Sequence, residues 1–481
     1  MRSRPEVDRG DDPAFRLLIL SIDSDDNMAT TTADREQWGS RIGFILAAAG
    51  SAIGLGNIWR FPFKAGENGG AAFVIVYLVC IALICVPYLF GELALGRNSQ
   101  KNPVGAIDAI KKGTPWKLVG GLCVLTGVFI LSYYGVVAGW AFGYIFKGVV
   151  APGVESGTFF ETFIADPIRV IPLLGLFMMF TIGVVYGGVE QGIERWAKVL
   201  MPILLVLMFV VIFRSVTLPG AEAGLNFYLN PDFSKINGTV VLEALGQAFF
   251  SLSLGMGAMI TYGSYLPKRE NLLVSGGYVA LFDTAIALLA GLMIFPAVFA
   301  MGQDPSEGAA LVFVVLPEVF DAMPLGGFIG TVFFILLSIA ALTSTVSLME
   351  VVVSYFVDET SWSRAKSVWI VGGFTFAVGI PSALAQGGSD FFTNQLHLFG
   401  QTGFLNIMDF IWGNLSLALG ALLLSVFIGW IWGTGNAIDE LQQGADGGFE
   451  GLLPSVWSVF LKYVCPIVIA VIFGAIATGV I

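Results

Sequence analysis

Long apolar runs with few charges recur along this chain, and they restrict its fold more than any other feature. A helix needs about 20 mostly apolar residues to cross a bilayer. Such runs stand near 40–66, 71–96, 117–146, 168–187, 196–215, 240–265, 272–300, 327–357, 366–385, 403–432 and 455–480. In hydrocarbon every backbone N–H and C=O needs an internal partner, so these runs are helices and not open sheet. The pattern predicts an all-α polytopic membrane protein with about eleven transmembrane helices. Composition agrees, since only 12% of the 481 residues are charged, against about 25% in soluble domains.

The net charge of −11 argues against a nucleic-acid partner, because binding phosphates needs a basic patch. The acid collects in a polar tail, 1–37, and in a loop after the tenth run that includes Asp439, Glu440, Asp446 and Glu450. Both read as solvated surface, and Met28 marks a possible later translation start within the tail. Cys80, Cys85, Cys123 and Cys465 all lie inside apolar runs and read as small buried hydrophobes. His397 is the sole histidine, so no zinc or redox centre, organic cofactor or Ser-His-Asp enzyme constellation is expected. Gly54-Leu55-Gly56 lacks the preceding strand of a nucleotide-binding loop.

Lys and Arg concentrate in the loops after spans 2, 4, 6 and 8, from Arg97 to Lys117 and at Arg195, Lys198, Lys268, Arg269, Arg364 and Lys366. Opposite loops hold only Lys147, Arg169, Arg214 and Lys235. That bias predicts a cytoplasmic N-terminus in the plasma membrane and, with eleven spans, an external C-terminus. The stretch 303–325, with Asp304, Glu307, Glu318 and Asp321 and no cation, reads as an outside loop.

An internal echo points to a site. Span 1 contains Ala52-Ile53-Gly54-Leu55-Gly56 and span 6 contains Ser253-Leu254-Gly255-Met256-Gly257. Paired glycines destabilise a helix by roughly 1 kcal/mol each relative to alanine. A broken helix frees carbonyls that hydrocarbon cannot satisfy but a bound ion or substrate can. Small-residue packing faces are the weaker alternative for either stretch alone and weaker still for the matched pair. Ionisable residues within spans add Arg60, Glu92, Asp283, Glu350 and Asp409. Ser51, Asn57, Ser251, Ser253, Asp283, Thr343, Ser344 and Thr345 form an oxygen inventory suited to a hard cation. Arg60 with Asp409, and Arg35 with Asp358, are candidate charge pairs on either side of it.

The stretches Gly50–Phe73, Gly91–Arg97, Ser132–Gly135, Gly246–Tyr265 and Ala340–Ser347 resemble the neurotransmitter:sodium symporter family. The resemblance implies two inverted five-helix repeats, 38–215 and 240–432, with broken helices 1 and 6. An outer loop at 216–239 and a tail of acidic loop plus span 11 at 433–481 complete the division. It implies two sodium ions as the bound cations. One would meet Ala52, Asn57, Ser251, Asp283 and the substrate carboxylate. The other would meet Gly50, Ile53, Ala340, Thr343 and Ser344. A neutral amino acid would be held by Tyr134, Gly56 and Ser253 at its charged end. Its side chain would meet Ile130, Phe250, Met256, Ser344 and Leu348, with Ser51, Ala52, Leu55 and Ser251 adjoining. Arg60–Asp409 and Arg35–Asp358 match the outer and inner gates, and Trp38 and Tyr265 match supports of the inner one.

Three departures from the family's pattern carry information. Gly54 replaces the aspartate of amine carriers, which favours an amino acid, hydrophobic or aromatic given the apolar pocket. Asp283 replaces a common asparagine and Ala287 the serine of chloride-dependent members, so chloride independence is expected. A twelfth span is not expected. The alternative is a sodium-dependent amino-acid sensor of the same fold that does not transport.

Overall fold

The computed structural model describes residues 36–151, 153–306, 311–322, 324–445 and 447–479. The polar tail through Arg35 lies outside the described residues. Among those described, nine uninterrupted helices are long and apolar enough to cross a bilayer. They are Ala71–Ser99 (span 2), Lys117–Tyr144 (span 3), Pro167–Tyr186 (span 4), Val189–Val216 (span 5), Leu272–Ala300 (span 7), Gly326–Glu359 (span 8), Arg364–Leu384 (span 9), Phe404–Gln442 (span 10) and Leu453–Ala477 (span 11). The other two runs are broken. Span 1 is Arg41–Ala52 followed by Gly56–Glu67, bent by 51°, and span 6 is Gly238–Ser251 followed by Ala258–Gly263.

Burial sorts the spans into an inner and an outer set. The most apolar windows of spans 3 and 8 are 78% buried and those of spans 5 and 11 only 28%, so the former line the interior and the latter face lipid. Asparagine and serine caps start several helices: Ser40 accepts from the Gly43 amide, Asn237 from Val240 and Asn271 from Val274, each satisfying an orphan N–H.

The two breaks are built differently. At Ile53 the backbone turns extended, with φ −72° and ψ 104°, and Gly54 is required for space. A Cβ there would lie 2.6 Å from the Tyr134 hydroxyl and collide with Ser344 Oγ. In span 6 the chain passes through positive φ at Ser253 (53°), Gly255 (81°) and Gly257 (78°). Here glycine serves conformation as well as packing, because a Cβ on Gly257 would press on Pro103 and Cys123.

Two readings of the polar stretches need correction. The segment between spans 7 and 8 is not a plain outside loop: Leu311, Val312 and Phe313 of its π-helical turn Leu311–Val315 are buried, since its LVFVV core is as apolar as a span. Nor is the whole 433–450 stretch solvated. Span 10 runs on to Gln442, and Glu440 is 1% exposed because it pairs with Arg97 across 2.6 Å. The stretch 216–239 holds a helix, Ala221–Leu229, anchored on span 7 by Tyr228 donating to the Leu288 carbonyl. Within the described residues the strands are confined to a two-residue ribbon, His397–Leu398 with Gln401–Thr402. The four cysteines are buried, as expected.

Candidate functional site

The carbonyls released by the break in span 1 find partners on spans 6 and 8. The Ser51 carbonyl accepts from Ser253 Oγ at 3.1 Å and from Ser344 Oγ at 3.2 Å. Thr343 Oγ1 reaches the Ile53 carbonyl at 3.3 Å and the Ala340 carbonyl at 2.9 Å. A Cβ on Gly50 would lie 3.4 Å from Thr343 Cβ, so the Gly50, Ile53, Ala340, Thr343 and Ser344 set converges where span 1 meets span 8. Thr345 faces elsewhere, bonded to Thr181 of span 4 at 2.8 Å, which makes it interhelical glue.

A second cluster lies between spans 1, 6 and 7. Asn57 Nδ2 donates to Asp283 Oδ1 at 2.7 Å and to Ser251 Oγ at 3.0 Å, and Ser251 Oγ donates to Asp283 Oδ2 at 2.8 Å. All three residues have 0% exposure. No Lys or Arg stands within 4 Å of the Asp283 carboxylate among the described residues. A buried carboxylate without a cationic side chain is the donor set that a small hard cation completes. Tyr77 of span 2 also reaches Ser251 Oγ, at 3.2 Å; sequence reasoning passed over it because a tyrosine in an apolar run carries no marker.

Between the clusters is a small cavity lined by Ser51, Ala52, Ile130, Tyr134, Phe250, Ser253, Met256, Ser344, Ser347 and Leu348. It measures about 30 Å³ for the centre of a water molecule, room for a few waters at most. Ser51 Oγ is buried here without a hydrogen bond, and buried polar atoms ordinarily have a partner. Ser347 is the lining residue that the sequence did not single out. Leu55, Gly56 and Ser251 adjoin this lining without joining it. The Leu55 amide donates to Tyr134 Oη at 2.9 Å, and the Gly56 carbonyl accepts from Gln247 Nε2 at 2.8 Å. Glu92 supports the other break by accepting from the Gly255 amide at 2.9 Å.

Toward the end of the bundle where Arg60 and Asp409 lie, a wider vestibule is lined by both of them, with Lys64, Glu243 and Asn414. Arg60 lies over the Phe250 ring at 4.6 Å, so this pair separates vestibule from cavity. Arg60 and Asp409 form no ion pair within 4 Å. Asn414 stands between them, accepting from Arg60 at 3.4 Å and donating to Asp409 Oδ2 at 3.4 Å. At the opposite end Trp38 is 7% exposed and donates from Nε1 to the Tyr262 carbonyl at 3.0 Å. Tyr265 donates to Glu350, which also binds Arg364. Asp358 accepts from the Asn102 amide at 2.8 Å; its expected partner Arg35 lies outside the described residues. This end is closed, as Glu194 also ties down Gly39 N and Ser40 Oγ, each at 2.7 Å.

A helical bundle with two broken central spans, whose freed carbonyls meet hydroxyls beside a buried carboxylate, defines an ion-coupled secondary transporter. A model of the sodium:neurotransmitter symporter family matches residues 35–152 and 168–479, and the chain belongs to that family. It is a multi-pass membrane protein and a sodium-dependent transporter of this family's fold. Among curated relatives, the uncharacterized sodium-dependent transporter YhdH of Bacillus subtilis is 40% identical, over 91% of this chain and 96% of its own. The sodium-dependent serotonin transporter of Drosophila melanogaster is 26% identical, over 95% and 78% respectively. Among solved structures, MhsT in complex with L-phenylalanine superposes with a TM-score of 0.84 at 46% identity, covering 92% of this chain and 99% of that one.

Proposed function

We propose that the chain imports a neutral, hydrophobic or aromatic amino acid together with two sodium ions, by alternating access and without chloride. The observation that carries this reading is one mostly apolar cavity flanked by two oxygen clusters. The amino acid's carboxylate would lie at the break of span 1, against Gly56 and Tyr134. Its side chain would lie among Ile130, Phe250, Met256, Ser344 and Leu348. A sodium held by Ala52, Asn57, Ser251 and Asp283 would touch that carboxylate, so each ligand binds better in the presence of the other, and linkage makes the effect reciprocal. The second sodium would sit among Gly50, Ile53, Ala340, Thr343 and Ser344. The cavity is tight, so binding must move Phe250, Met256 or Leu348 outward. The L-phenylalanine held by the structural neighbour MhsT supports an aromatic substrate. Asp283 would supply the fixed negative charge for which chloride serves elsewhere. The distribution of Lys and Arg supports a cytoplasmic N-terminus and an external C-terminus.

The test is uptake of labelled phenylalanine, leucine and tyrosine into proteoliposomes, with an inward sodium gradient compared with potassium or choline. Accumulation driven by sodium, unchanged when gluconate replaces chloride and lost in the Ser251→Ala, Thr343→Ala double variant, is the expected result. Sodium-dependent binding without accumulation would replace the symporter with a sensor. An arrest of transport on chloride removal would overturn the chloride-independent part alone.

A further inference from the structure

On the opposite side of span 3 from the central cavity, a second and much larger space opens between spans 3, 8 and 9 and the short helix Pro103–Ile110. It measures about 790 Å³ for the centre of a water molecule. Its wall descends span 3 from Lys117 to Phe129, a depth of about 18 Å at roughly 1.5 Å per residue. One leaflet of hydrocarbon, half of about 30 Å, is nearly the same. The wall includes side chains that face outward, among them Leu125 (49% exposed) and Phe374 (54%). Gly121 sits in the middle of it, and a Cβ added there would meet nothing within 4 Å.

The charged residues of this lining gather at one end. Asp108 is near the end of the short helix, Lys117 is the first residue of span 3 and Glu359 the last of span 8. That end lies at the level of the membrane surface, where Trp362 stacks on Phe356 at 4.8 Å and carries Lys366 over its ring at 4.6 Å. Lys117 makes no ion pair within 4 Å among the described residues. Asp108 accepts from the Gly113 amide and Glu359 from Asn102 Nδ2, one oxygen of each carboxylate.

We propose that this groove holds an acyl chain of a phospholipid whose headgroup carries a primary ammonium, with the phosphate at Lys117 and the ammonium between Asp108 and Glu359. Charge decides among headgroups. The lining itself holds two carboxylates and one lysine, so a zwitterion satisfies both signs, whereas a headgroup without a cation leaves the carboxylates unmatched. A primary ammonium also donates charge-assisted hydrogen bonds to carboxylates, which a quaternary choline has no N–H to do. The open space beside Gly121 then accommodates the chain.

The test is native mass spectrometry of the full chain in mild detergent, with equal amounts of phosphatidylethanolamine, phosphatidylcholine and phosphatidylglycerol of matched acyl chains. One phosphatidylethanolamine should be retained at least fivefold more than either rival. Asp108→Asn with Glu359→Gln, which keeps both acceptor oxygens, should bring phosphatidylethanolamine down to the level of phosphatidylcholine. Gly121→Trp, which fills space that is open, should reduce retention of all three while the protein stays monodisperse and helical. Equal retention of the three lipids by the native chain, or retention of phosphatidylethanolamine unaffected by both variants, would overturn the site. Preferential retention of phosphatidylglycerol would overturn the headgroup assignment.

Discussion

Asp283 is the residue on which the proposed ion chemistry turns. A carboxylate with 0% exposure persists in hydrocarbon only when a cation or hydrogen bonds offset its desolvation. Asn57 and Ser251 supply the hydrogen bonds, and the proposed sodium supplies the charge. Asp283→Asn keeps the size and one acceptor while removing the charge. Uptake in gluconate should fall at least tenfold, about 1.4 kcal/mol, and chloride should restore part of it. Wild-type rates in both anions would detach Asp283 from chloride independence. Gly54 shows the same economy of space at a single position: the site it leaves is bounded by Tyr134 and Ser344, and a side chain there would compete with a bound amino acid.

Among elements, the ends of spans 2 and 10 are joined by a buried ion pair that the sequence disguised as loop charge. Arg97 and Glu440 both have 0% side-chain exposure and meet at 2.6 Å. Arg97 also donates to the Glu270 carbonyl, and Lys268 and Asn98 donate to Glu440. The staple ties span 2 and the turn between spans 6 and 7 to the helical end of span 10. Removing Arg97 strips Glu440 of its buried partner and leaves only the half-exposed Lys268 against it, a loss approaching the about 3–5 kcal/mol of breaking a buried pair. Arg97→Met should therefore lower the thermal midpoint sharply, and adding Glu440→Gln should recover a substantial part. A double variant no more stable than Arg97→Met alone would show that Arg97's bonds to backbone carbonyls carry the joint instead. Glu92, without a cation within 4 Å among the described residues, holds the break of span 6 through the Gly255 amide.

At the scale of the molecule, the two proposed sodium sites would make sodium part of the folded state. A ligand that binds only the native form stabilises it by about 2.7 kcal/mol at a hundred times its dissociation constant. Sodium, but not potassium, should raise the thermal midpoint of the purified protein, and added phenylalanine should raise it further only with sodium present. Ser251→Ala and Thr343→Ala should each diminish the sodium shift. Equal stabilisation by potassium would dissociate the clusters from selective sodium binding. In this structure the end around Trp38 is closed and the vestibule beside Arg60 lies at the other end.

How much of this was legible beforehand depends on the range of the interaction involved. Apolar run length is local and, through the cost of unpaired backbone in lipid, it alone determined a helical bundle and placed its runs. Paired glycines at 54 and 56, and at 255 and 257, located both breaks for the same local reason. The resemblance then assembled most of the lining of the central cavity. Contact across the bundle is not local, and only tertiary packing decided it. Asn57 meets Asp283 across 226 positions. Tyr77 joins Ser251 because span 2 packs against span 6, and Asn414 takes the place expected for a direct bond between Arg60 and Asp409. Glu440 looked solvated because its charge was visible and its partner was not. Hydropathy reports what a segment prefers as its surroundings, whereas packing decides which neighbour supplies them.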